Sequence, residues 1–319
     1  MNEAELKALA ARYGYERAAL CAPAPFARWE SQRQRAHRTA QRLCSAPLEE
    51  APWTRAVCVA AAPYPLYRPH EGVSVAAYYV AYNAFHAREE ALLAELGARG
   101  VQACRLNIPA KPAAERAGLG RYGKNGIIHV PGLGGCVMLS CLALGEGFEC
   151  GPGYPDSDEE QPGDCGECRR CLDACPTGAL GEGGFDHTLC LRAHMMQGAP
   201  VPVGLRAAMG GRLLGCEECL RACPRNARAL AEAQPPPGEL ARILQIERAL
   251  DPTERAEYLR EMGALLGWNM AIGNRVLAQA LLVAANLGRR ELLGLIEPLC
   301  DSPSPAVREH ARWAKEALK

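Results

Sequence analysis

The chain has 319 residues, of which 49% are hydrophobic and 23% are charged, and its 36 basic side chains match its 36 acidic ones. This composition is typical of a globular protein with two or three domains, and the zero net charge argues against a surface built globally for nucleic acid or an anionic membrane. Residues 1–7 are charged rather than signal-like, and no apolar run is long enough to span a bilayer, so we expect a cytoplasmic protein without a membrane contact. In that compartment the 16 cysteines favour metal binding over disulfides.

Hydrophobic periodicity predicts an α/β structure for the first part of the chain. Residues 2–13 have the spacing of an amphipathic helix, and residues 17–21 and 55–62 have the composition of buried strands. Residues 75–98 predict a long helix. The arginines within residues 28–42 indicate a solvated helix face or, alternatively, a docking surface for an acidic partner.

A further strand is predicted at residues 101–108, and a β-hairpin is predicted from residues 127–130 and 136–144 with a turn between them. Before this hairpin, Gly118, Gly120 and Gly123 have the G-x-G-x-x-G spacing. A dinucleotide site needs a strand before such glycines and a helix after them, and here the order is reversed, which argues against a Rossmann nicotinamide site. The spacing leaves two readings open: a close backbone approach to a ligand, with Lys124 facing an anionic group, or a tight turn without a ligand.

Two cysteine runs dominate the middle of the chain, and each ends in Cys-Pro. They are Cys165-x2-Cys168-x2-Cys171-x3-Cys175-Pro176 and Cys216-x2-Cys219-x3-Cys223-Pro224. In two-cluster ferredoxins the cysteine before proline ligates the other cluster, so the runs are joined through metal. The first predicted [4Fe-4S] ligand set is therefore Cys165, Cys168, Cys171 and Cys223. The second set is Cys175, Cys190, Cys216 and Cys219, with Cys190 supplying the ligand that the shorter run lacks.

These cysteines have two alternative interpretations, paired zinc ribbons and a disulfide framework. The three-cysteine start with a trailing Cys-Pro is unusual for zinc, and disulfides suit smaller secreted domains, so the pattern favours iron–sulfur clusters. Most of the remaining cysteines are expected to be buried small hydrophobes, with Cys104 and Cys150 the two worth testing. These remaining cysteines are Cys21, Cys44, Cys58, Cys104, Cys136, Cys141, Cys150 and Cys300.

The tail begins after the linker at residues 234–238 and predicts four helices, which would form two antiparallel pairs that support the cluster domain. The predicted helices span residues 256–266, 275–287, 291–300 and 306–318. The sequence therefore predicts three domains: an α/β domain at residues 1–150, a double-cluster domain at 151–234 and a helical domain at 235–319.

The order of these features resembles the epoxyqueuosine reductase family and its wider group, which includes reductive dehalogenases. The resemblance rests on Arg116-Ala117-Gly118-Leu119-Gly120, on Gly123-Lys124-Asn125, on both cysteine runs with the isolated Cys190, and on Gly273-Asn274-Arg275. It implies a nitroreductase-like α/β N-terminal domain, a bacterial two-cluster ferredoxin domain and a C-terminal HEAT-like all-α segment. It also implies a cobalamin, which would lie against Gly118, Gly120, Tyr122, Gly123, Lys124 and Asn125.

The chain also departs from that family. In the tRNA-modifying members an aspartate ahead of the glycines is regarded as the proton donor, whereas residues 104–109 hold no carboxylic acid and leave Cys104 and Asn107 as candidate catalytic residues. Arg225 stands where those enzymes usually have tryptophan. The 11 basic and 11 acidic side chains of residues 235–319 argue against a tRNA-binding surface.

Three functions remain open from the sequence. The first is a corrinoid-dependent iron–sulfur reductase, which takes single electrons from an external donor such as ferredoxin or flavodoxin and reduces an unknown substrate. The second is a corrin-free electron-transfer protein, which the missing acid favours. The third is a tRNA epoxyqueuosine reductase with a relocated acid. Cobalt content distinguishes the first two.

Overall fold

The structure is a computed structural model that describes residues 1–27, 29–30, 40–148, 150 and 165–319. The predicted arginine-rich helix face at residues 28–42 lies mostly outside the described residues. The strands are β1 (Arg17–Cys21), β2 (Ala56–Pro63), β3 (Ser74–Val75), β4 (Ala103–Arg105), β5 (Arg121–Tyr122), β6 (Ile128–His129), β7 (Val137–Leu144), β8 (Leu180–Gly181), β9 (Gly184–Phe185) and β10 (Arg212–Leu214).

The α-helices of the same described ranges are α1 (Glu3–Arg12), α2 (Pro47–Glu50), α3 (Ala77–Ala98), α4 (Ala110–Arg116), α5 (Arg170–Asp173), α6 (Leu191–Gln197), α7 (Val203–Arg206), α8 (Glu218–Arg221), α9 (Ala227–Ala231), α10 (Gly238–Ile243), α11 (Ile246–Leu250), α12 (Arg255–Leu266), α13 (Gly273–Asn286), α14 (Leu293–Ile296) and α15 (Pro305–Leu318). Short 3₁₀ helices occupy Ala40–Arg42, Ala207–Met209, Pro224–Asn226, Arg290–Leu292 and Glu297–Asp301.

The chain divides into two compact units that each combine separate segments. Unit 1 comprises Met1–Tyr64, Ala84–Arg169 and Pro224–Ala227, and unit 2 comprises Pro65–Asn83, Arg170–Cys223 and Arg228–Lys319. The three-domain boundaries drawn from the sequence stay a prediction. Within the described residues, no helix combines the length and the apolar character needed to cross a membrane.

Unit 1 is built on a four-stranded antiparallel sheet with the order β1-β2-β7-β4. Every residue of β2 from Ala56 to Ala62 is buried, which agrees with its continuous apolar sequence. Such a run needs cover on both faces of the sheet. Ala113 and Ala114 of α4 pack in one core with Val57 and Val59, so α4 covers one of these faces.

The first helix of unit 1 begins where its sequence predicts. Asn2 caps α1, because its side chain accepts from the backbone N–H of Glu5 at 2.9 Å while the Glu5 carboxylate accepts from the backbone N–H of Asn2 at 2.9 Å. This reciprocal capping box satisfies two N–H groups that the first turn would otherwise leave unpaired. The same helix buries Leu6, Leu9 and Ala10, as the periodicity of residues 2–13 indicates.

A buried polar chain also joins elements of unit 1. The Ser140 hydroxyl donates to the Glu89 carboxylate at 2.6 Å, the Tyr15 hydroxyl lies 2.8 Å from Ser140 Oγ, and Arg105 forms an ion pair with Glu89. Glu89 is 2% exposed, so its charge needs these partners. Burial raises the pKa of Tyr15 to about 12.

The predicted hairpin of residues 127–130 and 136–144 is wrong in its pairing. β7 lies between β2 and β4, and β6 pairs instead with β5, with His129 opposite Arg121. The apolar sequence of β7 matches a central strand, but pairing between strands distant in the chain is not encoded in the local pattern. The predicted strand at residues 101–108 is also shorter, since only Ala103–Arg105 pairs.

Unit 2 has a helical core, to which α10, α11, α12, α13 and α15 all contribute buried side chains. Its parallel pair β3 and β10 joins residues 74–75 to residues 212–214. The four helices predicted for the tail agree with α12, with α13, with α14 flanked by its 3₁₀ turns, and with α15. The HEAT-like description of this segment stays a prediction.

One histidine ties the tail helices of unit 2 to a loop. His310 of α15 is fully buried, accepts from the backbone N–H of Val201 at Nε2 over 2.9 Å, and donates from Nδ1 to the carbonyl of Ala278 over 2.9 Å. The two bonds require the neutral ring with its proton on Nδ1. Burial is the main cause that lowers the pKa of His310 to about 4; the bond to Ala278 opposes this shift and the nearby Arg206 adds to it.

Candidate functional site

Short helical turns position the predicted cluster cysteines. Cys171 lies in α5 and Cys219 in α8, and Cys190 is the residue before the first turn of α6. In the first run the backbone N–H of Cys168 donates to the carbonyl of Cys165 at 2.8 Å. A single helical turn brings side chains three residues apart to one side, which is how these spacings group their thiols.

The thiols of unit 2 lie close enough to interact electrostatically. The pKa of Cys219 is raised to about 12, mainly by burial and to a smaller degree by Cys216, Cys171, Cys190 and Cys175. Thiolates formed at these sulfurs would repel one another. Binding of positively charged iron would offset this repulsion. This neighbourhood contains every member of the second predicted ligand set.

Cys175 differs from Cys216 and Cys219 because the hydrogen bonds at its sulfur outweigh the effect of burial. Burial alone would raise the pKa of Cys175, but hydrogen bonds from the backbone N–H groups of Thr177, Leu180 and Ala179 and a contact with the Thr177 hydroxyl lower it overall. Such N–H groups are among the features that set the reduction potential of a cluster. The donor set therefore fits an iron–sulfur cluster chemically.

In the part of the chain that the structure describes, no three His, Cys, Asp or Glu side chains already converge in metal-binding geometry. The assignment of individual cysteines to each cluster stays a prediction. For Cys165, Cys168, Cys171 and Cys223 it rests on spacing.

Two glycines of this segment, Gly120 and Gly123, lie in close contact with another residue of the protein, His129. A side chain at Gly120 would place its Cβ 2.6 Å from the backbone oxygen of His129, and one at Gly123 would come within 2.8 Å of the His129 ring. Gly118 has a φ of +69° directly after α4, which is the left-handed conformation that ends many helices. Helix α4 precedes the glycines and β5 and β6 follow or flank them, which agrees with the argument against a dinucleotide site.

Asn125 and Lys124, also predicted to contact a cofactor, have protein partners. The Asn125 side-chain oxygen accepts from the backbone N–H of Ile127 at 3.1 Å and lies 3.3 Å from His129 Nε2. Lys124 Nζ donates to the carbonyl oxygens of Gly166 at 2.6 Å and Cys168 at 3.2 Å. Their role towards a cofactor, like that of Tyr122, stays a prediction.

His129 is a polar group in this segment that the sequence did not single out. It is 4% exposed, and its Nδ1 has no hydrogen-bond partner among the residues that the structure describes. The pKa of His129 is lowered to about 4, mainly by burial and to a smaller degree by the charge of Arg225. The ring is therefore neutral at physiological pH, and its fit against Gly120 and Gly123 could not be seen in the spacing of the glycines.

The two candidate catalytic residues lie beside a carboxylate that the sequence did not indicate. The Asn107 backbone N–H donates to the Glu50 carboxylate at 2.7 Å, and its side-chain amide donates to the carbonyl of Arg42 at 3.1 Å. Burial and, to a smaller degree, Glu50 raise the pKa of Cys104, which makes this thiol a weaker acid. Glu50 itself is exposed at the end of α2. It is 57 residues from Asn107 in sequence, so no local pattern indicates their proximity.

The other cysteines are partly as expected. Cys21, Cys58, Cys136 and Cys141 are buried, whereas Cys44, Cys104, Cys150 and Cys300 are half-buried. Burial raises the pKa of Cys150, whose sulfur lies 3.2 Å from the carbonyl of Cys21.

Comparison with known proteins agrees with this chemistry. Residues 164–226, which hold all eight predicted ligands, match the family described as a 4Fe-4S double cluster binding domain. The chain is 32% identical over 210 residues to an epoxyqueuosine reductase of Bacillus subtilis, with 64% of this chain and 52% of the relative covered. It is 31% identical over 247 residues to one of Pseudomonas aeruginosa, with 70% and 62% covered.

The fold is similar to that of solved epoxyqueuosine reductases. A crystal structure of such an enzyme with an epoxyqueuosine-modified tRNA stem loop matches 99% of this chain and 90% of that chain with a TM-score of 0.78 at 21% identity. The structure from Streptococcus thermophilus gives a TM-score of 0.76 at 18% identity. The chain spans about half the length of the first curated relatives it matches. The resemblance and the double-cluster segment expected from the sequence are confirmed.

Proposed function

We propose that this chain, a relative of the epoxyqueuosine reductases that carries a 4Fe-4S double cluster binding domain, is an oxidoreductase that moves single electrons through two [4Fe-4S] clusters to a substrate. The observation that carries the proposal is that Cys171, Cys175 and Cys219 pack in one small cluster of unit 2. Cys190 and Cys216 also interact electrostatically with Cys219. The clusters would supply one-electron carriers, with potentials set by hydrogen bonds, charge and burial.

The chain's own residues would hold and tune these carriers. The N–H groups of Thr177 and Leu180 that bond to Cys175 sulfur would stabilise added negative charge there. Arg192 interacts electrostatically with Cys190 and is held by the Tyr79 hydroxyl at 3.1 Å. An external one-electron donor such as ferredoxin or flavodoxin completes the proposal.

The first test is metal content after anaerobic reconstitution with iron and sulfide. We expect about eight irons per chain, the number in two cubane clusters, and a loss of about half of them in Cys219→Ser. Cys300→Ser is the matched control, since Cys300 is a half-buried thiol outside the cysteine runs. Full iron retention by Cys219→Ser, or equal losses in both variants, would contradict the ligand assignment.

A cobalamin-dependent reaction is the finer form of the proposal. Its support is the order of sequence motifs, together with a nitroreductase-like first domain and a HEAT-like tail as the proposed architecture. The contacts of Gly120 and Gly123 with His129 account for these glycines within the protein, so we derive no catalytic step through a corrinoid. Cobalt bound stoichiometrically, after cobalamin is offered and the protein desalted, would support this form, and its absence beside about eight irons would contradict it.

A corrin-free electron-transfer protein is the second candidate. It is favoured by the engagement of Lys124 and Asn125 with the protein's own groups. It predicts full iron content, reversible reduction and no cobalt. Substrate turnover that requires cobalamin would exclude it.

Reduction of an epoxyqueuosine-modified tRNA is the third candidate, and the position of Glu50 favours it. The carboxylate of Glu50 lies on the backbone of Asn107, in the stretch where the related enzymes carry their acid. If Glu50 donates the proton, Glu50→Gln should lower reduction of modified tRNA at least about tenfold while leaving tRNA binding intact, since general acids contribute about 10²–10⁴-fold. The neighbouring Glu49→Gln is the control. Weak tRNA binding at low salt would count against this candidate, because phosphate contacts are strongest there.

A further inference from the structure

Lys124 makes the contact with the cluster segment that the sequence did not predict. Its ammonium group donates to two backbone carbonyls, those of Gly166 at 2.6 Å and Cys168 at 3.2 Å. Both carbonyls lie in the loop between the first two cysteines of the first run. The glycine spacing leaves open whether this lysine faces an anionic ligand, and in the structure its ammonium group binds the loop that presents Cys165 and Cys168.

The backbone that carries Lys124 is held in place on both sides. Within the turn between β5 and β6, the Gly123 N–H donates to the carbonyl of Ile127 at 2.8 Å, and the Gly126 N–H donates to the carbonyl of Gly123 at 2.9 Å. The Asn125 side chain caps the same turn through the Ile127 N–H. Because these hydrogen bonds hold the turn, the backbone of Lys124 has a defined position. The bonds of its ammonium group to Gly166 and Cys168 then fix the position of its charge.

A second lysine also bonds to this turn. Lys111 Nζ donates to the carbonyl of Gly126 at 2.8 Å. The two lysines thus make the same type of bond to glycine carbonyls in the same unit. Lys124 in addition donates to the carbonyl of Cys168, a predicted cluster ligand.

We propose that Lys124 is a positioning residue that raises the reduction potential of the cluster ligated by Cys168, through its charge and through its bonds to the Gly166 and Cys168 carbonyls. This inference rests on the proposed clusters. Reduction adds one negative charge to a cluster, and a fixed cation in a partly buried position stabilises that added charge. The half-buried position of Lys124 keeps solvent from screening the effect completely.

The test is a spectroscopically monitored redox titration of the reconstituted full chain, with iron determined in each sample. For Lys124→Met we expect one of the two midpoint potentials to fall by about 59 mV, which is a tenfold change in a one-electron equilibrium. The other potential should change much less and serves as an internal reference. Lys124→Arg, which keeps the charge, and Lys111→Met, which removes the comparable lysine, should both stay near the wild-type values.

The outcomes separate the inference from the proposed function. If wild-type protein binds no clusters, the proposed function fails. If Lys124→Met keeps about eight irons and both potentials are unchanged, the role of Lys124 is overturned. If Lys124→Met loses the cluster, Lys124→Gln replaces it in the test, because glutamine keeps an N–H donor for the carbonyls without the charge. A lowered midpoint potential in Lys124→Gln would support the role of Lys124, and unchanged potentials would overturn it.

Discussion

His310 is neutral and makes two hydrogen bonds, and its protonation makes the stability of unit 2 depend on pH. Its ordinary pKa of 6.5 is lowered to about 4 in the fold, mainly by burial. A group with a lowered pKa in the folded state contributes stability that is fully present above pH 6.5 and is lost as the pH falls toward 4, because the unfolded chain binds the proton first. Linkage with these two values gives a loss of about 2 kcal/mol at pH 5 and about 3 kcal/mol below pH 4.

His310→Asn tests this dependence. Asparagine can still donate to the Ala278 carbonyl, but it leaves the buried N–H of Val201 without its acceptor, which costs about 1–3 kcal/mol at neutral pH. Because the variant has no titrating ring, the free energies of unfolding of the two proteins should converge as the pH falls from 7.5 to 5. Anaerobic urea unfolding followed by circular dichroism measures both, with the partly exposed His70→Asn as control.

The difference between wild type and variant removes any acid sensitivity that both proteins share, including that of bound clusters. Arg206 and Glu309 also face the ring, and their charges oppose each other in their effect on its pKa. A wild-type-to-variant difference in unfolding free energy that is the same at pH 7.5 and pH 5 would refute the reasoning.

Two further predictions concern close packing in unit 1. Gly120→Ala should destabilise the protein by about 1–3 kcal/mol, since its Cβ would meet a backbone oxygen at 2.6 Å, whereas Gly97→Ala in the open part of α3 should stabilise it by about 0.5–1 kcal/mol. Equal effects of the two in urea unfolding would contradict the clash. Asn226→Ala removes the acceptor of the buried Gly135 N–H at 2.7 Å and should cost about 1–3 kcal/mol, measured in the same way, with no change in iron content.

Elements with a strong local pattern were predictable from the sequence. The strand predicted at 17–21 matches β1, and the helix predicted at 256–266 begins one residue earlier in the structure. The strand is a short continuous apolar run, and the helix buries Tyr258, Met262 and Leu266 at a spacing of four residues. The predicted hairpin was wrong because β7 pairs with β2 and β4, which are distant from it in the chain. The local sequence around β7 does not indicate these partners.

The residues of the candidate site also divide into those with a local sequence pattern and those without one. The double-cluster segment was predictable because a cluster imposes a fixed cysteine spacing on a loop. The partners of Lys124 lie more than 40 residues further along the chain, and Glu50 reaches Asn107 across 57 residues. A lysine or glutamate in isolation has no pattern that states its partner, so these contacts come only from the fold.

Burial also sorts the sulfur atoms of this chain for the assembly of its metal centres. Burial raises the pKa of Cys58 to about 12 and holds that of Cys141 well above its usual range, so both sheet thiols keep their protons. Cys175, with its lowered pKa, gives up its proton more readily. Iron needs thiolate. Cys219 has a pKa as high as that of Cys58, so solvent access rather than pKa alone separates the two groups: Cys58 and Cys141 are buried in the sheet, whereas Cys216 and Cys219 are half-buried. Iron and sulfide that arrive from solvent therefore meet the loop sulfurs first.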